Sequence, residues 1–196
     1  MTAHGNIHFC GVGGQGILLA SEITASALLA VGLDVKKSEV HGMAQRGGSV
    51  EAHLRYGEKV YSPLIEPGAV DIQLAFEEME SVRYLSFLHP GSTVIVNTQQ
   101  IMPPSVATGK AAYPENVLNQ LTSRGLKVIP VDGFAIAKQV GNVKAANVVL
   151  VGALSSLLPV PEEVFLDVIK ARVPERLLEV NLKAFAAGRK QGEKQS

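Results

Sequence analysis

Apolar and polar positions follow two rhythms along this chain, one of period two and one near 3.6, and the switches between them mark out the elements. Asn6–Cys10 is a short apolar run ended by glycines, the pattern of a buried strand. From Gln15 to Val31 the apolar residues Ile17, Leu18, Ala20, Ile23, Ala27, Leu28 and Val31 recur at helical spacing, and Gly32 closes the helix. Val35–Val40 predicts a second strand, followed by a glycine-rich loop, HGMAQRGG. Ser49–Tyr56 alternates, with Val50, Ala52, Leu54 and Tyr56 on one face and Glu51, His53 and Arg55 on the other. Lys59–Ile65 returns after Gly57-Glu58, so the two segments predict a hairpin.

Further along, Val70–Phe76 and Thr93–Asn97 have the character of buried strands, separated by a helix over Glu77–Leu88. A helix over Glu115–Arg124 leads into a strand at Lys127–Val131. Beyond that the pattern is helical: Phe134–Val140, Ala145–Leu158, Glu162–Arg172 and Glu175–Gly188, with Pro161 and Pro174 where helices start. Alternating strands and helices imply a parallel sheet covered on both faces. The expected fold is α/β: a Rossmann-like domain with a mostly parallel sheet, a β-hairpin insertion and a helical C-terminal part. No linker, repeat or low-complexity stretch interrupts residues 1–196, which predicts a single domain, with 188–196 as a frayed polar tail.

Composition narrows the function. Only 18% of residues are charged and 46% are hydrophobic, against roughly 25% charged in an ordinary soluble domain. That composition fits either a well-packed core or a large surface covered by a partner chain. Eighteen basic and eighteen acidic residues cancel without forming a run of one sign, which disfavours nucleic acid. The single cysteine, Cys10, excludes an intrachain disulfide, and a cluster or zinc site built from this chain's own thiolates. The longest apolar stretch, Asn147–Leu158, is short of the about 20 residues a bilayer needs. No signal-peptide pattern precedes the first strand, so the expectation is a cytoplasmic protein with no membrane contact.

Two glycine loops carry the candidate chemistry. Gly11-Val12-Gly13-Gly14-Gln15-Gly16 satisfies GxGxxG between a strand and a helix, where small residues let backbone amides approach an anion at the helix start. Glu39, at the end of the second strand, is in place to hold a ribose, which keeps a nicotinamide or flavin enzyme open as an alternative. The same glycines also suit a tight turn and close helix–sheet packing with no ligand at all. The second loop sets Arg46 beside Gly47 and Gly48 at the carboxyl edge of the sheet, where ligands of open α/β sheets bind. Arg46 is suited to clamp a phosphate or carboxylate bidentately, or to bond loop carbonyls. His41 is an acid–base candidate with a plain hydrogen-bonding role as its rival.

Other polar residues have structural explanations. Glu77, Glu78 and Glu80 crowd a helix start, where carboxylates suit the dipole. Asp132 is placed to cap the following helix, and Asn142 and Asn147 bracket a helix start as caps or backbone anchors. No nucleophile–base pair, metal-ligand spacing or lysine-bearing phosphate loop is present.

Taken together, GVGGQG, HGMAQRGGSVEAHLR, GNVKAANVVLVGAL and NLKAFAAG resemble the gamma-type domain of 2-oxoacid:ferredoxin oxidoreductases, from Ile7 to about Gly188. HGMAQRGG is most similar to the indolepyruvate branch, in which this domain is a separate small subunit; the pyruvate and ketoisovalerate branches are the neighbouring alternatives. The resemblance implies that thiamine diphosphate, its magnesium and the iron–sulfur clusters sit on a large partner subunit, and that this chain holds no redox cofactor or metal. It implies oxidative decarboxylation of a 2-oxoacid, with electrons passed to ferredoxin and an acyl-CoA released. This chain would not be active alone. Gly13, Gly14, Gln15, Gly16, Arg46, Gly47 and Gly48 become the candidate binding residues, facing the large subunit or coenzyme A. A second copy of the chain is a further candidate partner when it is isolated.

Overall fold

The computed structural model describes residues 3–41 and 48–195, and for His41 the backbone alone. In chain order the elements begin with β1 (Gly5–Val12), α1 (Ile17–Ala30), β2 (Asp34–His41), β3 (Ser49–Gly57), β4 (Val70–Ala75) and α2 (Glu78–Arg83). A single 3-10 turn, Leu85–Phe87, leads into β5 (Leu88–Asn97), followed by the short α3 (Pro104–Ala107), α4 (Val117–Thr122) and β6 (Lys127–Val131). The rest is helical: α5 (Gly133–Gln139), a 3-10 turn at Val143–Ala145, α6 (Ala146–Ser155), α7 (Glu162–Arg172) and α8 (Glu175–Gln195).

The six strands form one mixed sheet in the order β2-β3-β1-β4-β5-β6. From β1 to β6 the pairing is parallel, whereas β3 lies antiparallel between β1 and β2. The α/β expectation therefore holds, with its antiparallel insertion, but the hairpin is made of different strands. Lys59–Ile65 is not a strand, because both ladder edges of β3 are already taken by β1 and β2. That segment folds back beside the sheet instead. The Val60 N–H donates to Asp34 at 2.9 Å, and the Ile65 N–H donates to His53 Nδ1 at 3.1 Å. The helix expected over Glu77–Leu88 is also shorter: it yields to the 3-10 turn, and Leu88 already belongs to β5.

The larger core lies on one face of the sheet. Ile7, Phe9, Leu54, Leu74, Ile95 and Ile129 pack there against α1, α6, α7 and α8. On the other face Val94 and Val96 meet Val117 and Leu121 of α4, a smaller cluster that leaves the β1–β3 end of this face to polar residues. Asn147 to Ser155 of α6 are all buried, since this helix is enclosed by neighbours rather than amphipathic.

The expected frayed tail is corrected here. The last helix continues to Gln195, and Gly188 and Gly192 are buried against α6. A Cβ on Gly188 would lie 2.7 Å from the Val149 carbonyl carbon, with its oxygen closer still; one on Gly192 would lie 2.6 Å from the Ala153 oxygen. Gly152 supplies the matching notch on α6, where a Cβ would come 2.8 Å from the Arg189 nitrogen. Small residues at this spacing let two helix backbones touch, and that contact keeps a polar sequence helical to its end.

Candidate functional site

β1 is flanked by β3 on one side and β4 on the other, so chain connections leave it in opposite directions. This is the switch point at which open α/β sheets form a crevice beyond the carboxyl ends of their strands. The loop 13–16 follows β1 at this crevice, with Phe76 following β4; the Phe76 N–H extends the ladder to the Cys10 carbonyl at 2.8 Å. A cavity of about 510 Å³ opens there, floored by Gly14, Gln15, Gly16, Phe76 and Asn97 and rimmed by the partly exposed Phe134 and Val143.

The loop is rigidly wired. The Gly13 N–H donates to the Gly48 carbonyl at 2.8 Å, which joins the two glycine loops that the sequence singled out. Gln15 Oε1 accepts from the Val12 N–H at 2.7 Å, and its Nε2 donates to the Phe76 carbonyl at 2.8 Å. Asn97, 2% exposed, donates to that same carbonyl at 2.9 Å and accepts from the Gly133 N–H at 3.0 Å, fixing the start of α5. Gly14 and Gly16 adopt φ of 104° and 80°, the left-handed region that favours glycine. Gly14, Gln15 and Gly16 thus line the cavity, Gln15 with its side chain committed to the scaffold. Gly13 and Gly48 form the seam beneath, and Arg46 and Gly47 lie outside the described residues.

A second polar cluster, not anticipated as a site, sits on the sheet face away from α1. His8 Nε2 and His53 Nε2 approach Glu51 Oε2 at 3.1 and 3.7 Å. Phe87 stacks on His8 at 5.5 Å between centroids, with Tyr84 edge-on at 4.8 Å. The His53 and His8 ring nitrogens pull the Glu51 carboxyl down to about 2. Burial pushes His8 below its ordinary value, opposed by its bond to Glu51. Two imidazoles and a carboxylate are also a metal-ligand set, yet the wiring works against one here. His53 Nδ1 accepts from the Ile65 N–H, so a neutral ring carries its proton on Nε2, the atom a metal would need. The alternation of Glu51 and His53 was visible in sequence; their meeting with His8 needed the register that sets His8 opposite His53.

Residues 6–191 match the pyruvate ferredoxin/flavodoxin oxidoreductase family. The chain belongs to this family. Among its relatives, the indolepyruvate oxidoreductase subunit IorB of Archaeoglobus fulgidus is 44% identical over 93% of this chain and 92% of its own length. The corresponding subunit of Thermococcus kodakarensis is 40% identical over 93% of each chain. The keto/oxoacid ferredoxin oxidoreductase gamma subunit of Geobacter sulfurreducens PCA superposes with a TM-score of 0.73 at 26% identity, covering 96% of this chain and 98% of its own. Each of these relatives is named as a subunit of an oxidoreductase.

Family membership sets the glycine motif in its proper context. A dinucleotide site needs the acidic residue of the second strand beside the loop after the first, but here β3 separates the two strands. Two strand spacings put Glu39 about 10 Å across the sheet from β1, and its carboxylate is paired with Lys37. The nicotinamide or flavin alternative fails on strand order. Structural readings of the other polar residues fare better: Asp132 Oδ1 caps α5 through the Ala135 N–H at 2.8 Å, Asn142 accepts from the Lys144 N–H at 3.0 Å, and Glu77 caps α2 through the Glu80 N–H at 3.1 Å. No helix among the described residues is long and apolar enough to cross a membrane.

Proposed function

We propose that this chain is the small subunit of a cytoplasmic indolepyruvate:ferredoxin oxidoreductase, whose glycine-lined crevice faces the large subunit and receives coenzyme A. The observation that carries the reading is the 44% identity to an indolepyruvate oxidoreductase subunit over 93% of this chain and 92% of its relative. The complex would convert an aryl 2-oxoacid, coenzyme A and two oxidised ferredoxins into an acyl-CoA, carbon dioxide, two reduced ferredoxins and a proton. Thiamine diphosphate with magnesium would supply the carbanion chemistry, and iron–sulfur clusters the electron path, both on the partner. This chain's own donors fit that division of labour. Its one cysteine, Cys10, is fully buried, and burial pushes its thiol well up, away from the thiolate a cluster needs. Gly13, Gly14, Gln15, Gly16, Arg46, Gly47 and Gly48 are the binding set in this reading, with Gly13, Gln15 and Gly48 acting by shaping the loop.

The test is co-expression with the large subunit, followed by ferredoxin reduction with indolepyruvate, pyruvate and branched 2-oxoacids in turn. Preference for indolepyruvate, with a colourless and inactive lone chain, is the expected result. Preference for pyruvate or ketoisovalerate would move the chain to a neighbouring branch, and turnover by the lone chain would overturn the reading.

A further inference from the structure

We infer that the outer rim of the crevice is a docking surface for an acidic segment of the large subunit that carries an aromatic side chain. The starting observation is where apolar side chains reach solvent. Three of the eight large hydrophobic residues exposed among the described residues gather at this one cavity. Phe134 and Val143, 44% and 41% exposed, line it, and Met102, 51% exposed, follows the lining residue Ile101. They belong to three separate parts of the chain: the first turn of α5, the 3-10 turn before α6 and the segment after β5. The fold, and not one apolar stretch of sequence, brings them together. Exposed apolar residues that gather in this way beside polar ones mark a surface meant to be covered.

Charge supplies a second, independent observation. Lys144, next to Val143 in the chain, lines this cavity and an adjoining one of about 430 Å³, which Arg172 and Arg176 also line. Arg172 is held by Glu22 at 2.8 Å, whereas Lys144 and Arg176 have no ion pair among the described residues. No Asp or Glu among the described residues lines either cavity. In a chain whose eighteen basic and eighteen acidic residues cancel, this is a local excess of positive charge. The apolar rim and the basic wall are continuous, because Lys144 belongs to both.

An apolar centre flanked by unpaired cations is the anatomy of a protein interface, in which a large side chain is enclosed while rim charges select and steer the partner. A small ligand seated on the glycine-lined floor would leave Met102, Phe134 and Val143 in water. A polypeptide segment covers them. Its complement here is an aromatic side chain packed on Phe134 and Val143, with carboxylates that reach Lys144 and Arg176. The large subunit is the partner of the reading above, and the inference rests on that reading for this identity alone.

The experiment measures binding of the immobilised full chain to the separately expressed large subunit, by biolayer interferometry at low and at high salt. Wild type should bind more weakly at high salt, since exposed charges are screened. Phe134→Asp should weaken binding about tenfold or more at both salts. An acid in the first turn of α5 suits the helix dipole, so the melting temperature should hold. Lys144→Gln together with Arg176→Gln should weaken binding about tenfold at low salt and flatten the salt dependence. Both side chains are exposed, so this double variant decides the matter if Phe134→Asp fails to fold. Undiminished binding in Phe134→Asp or in the double variant would overturn the inference. Normal binding with a raised KM for coenzyme A would also overturn it, by giving the rim to a small ligand. A lone wild-type chain that dimerises, with Phe134→Asp a monomer that still binds the large subunit, would give the rim to a second copy and overturn it too. A complex that assembles as expected but prefers pyruvate to indolepyruvate would sink the assigned branch and leave the docking surface standing.

Discussion

Gly188→Ala tests the contact that orders the C-terminal helix. In an open helix position this change is stabilising, by about 1 kcal/mol from propensity. At Gly188 the new methyl would lie 2.7 Å from the Val149 carbonyl carbon, about 1 Å inside ordinary carbon contact. Both sides of the clash are helix backbone, so no side chain can rotate out of the way and the two helices must part. Overpacking of this kind costs about 1–3 kcal/mol and occasionally more. Because α6 is buried along its length, the separation also loosens its contacts with the sheet. Taking the upper end and subtracting the propensity gain leaves a net loss of about 2 kcal/mol. For a domain of this size that lowers Tm by about 4–8 °C. Differential scanning calorimetry of Gly188→Ala and Gly192→Ala beside wild type checks it. An unchanged or raised Tm in both variants would mean that the segment after Gly188 is frayed after all, and that the helix contact contributes nothing.

Gln15→Ala should destabilise the chain by about 1–3 kcal/mol, because it strands the Val12 N–H and one bond to the Phe76 carbonyl; urea unfolding reads this, and wild-type stability would make Gln15 a ligand group instead. Acid should weaken the fold through Glu51, whose carboxyl sits at about 2 rather than 4.5. Its contribution is complete above pH 5 and is lost as pH falls toward 2, up to about 3 kcal/mol. The lowered His8 acts in the same direction, because below its ordinary value the unfolded chain takes up a proton that the folded chain refuses. Melting curves from pH 6 to pH 3 should therefore slope less in Glu51→Gln than in wild type, and parallel slopes would refute the assignment. Arg46→Ala should leave Tm unchanged and weaken coenzyme A use or subunit docking ten- to a hundredfold, from the about 1.5–3 kcal/mol of one charge-assisted contact. Arg46→Lys should restore only part, and a collapsed Tm would show a structural arginine.

The strands of the parallel half were legible because each is a short apolar run between turn signals, and β1 with α1 was framed by glycines at both ends. Lys59–Ile65 misled because alternation tells which residues share a face but not whether a ladder edge is free to receive them. The C-terminal segment misled for the opposite reason. Its polar residues pointed outward as composition suggested, while the two glycines four residues apart held the packing information. Gly14, Gln15 and Gly16 line the crevice cavity, and the motif that singles them out depends on backbone geometry alone. Asn147 anchors backbone as expected, its Oδ1 accepting from the Val148 N–H at 3.0 Å, while its approach to Gly16, 131 residues away in the chain, comes only from the fold. The His8–Glu51–His53 cluster needed the same long-range pairing.

The antiparallel β3 has a practical consequence for anyone altering this scaffold. A loop with the right glycines and an acidic residue on the next strand invites conversion into a nicotinamide binder by a few point substitutions. Here that route is closed by threading rather than by side chains: a whole strand stands between the loop and Glu39. No exchange of residues brings them together without pulling β3 out of the sheet, and its removal would expose one ladder edge of β1 and one of β2. Cofactor choice in this architecture is thus set by connectivity, a property that mutation changes far more rarely than it changes a motif.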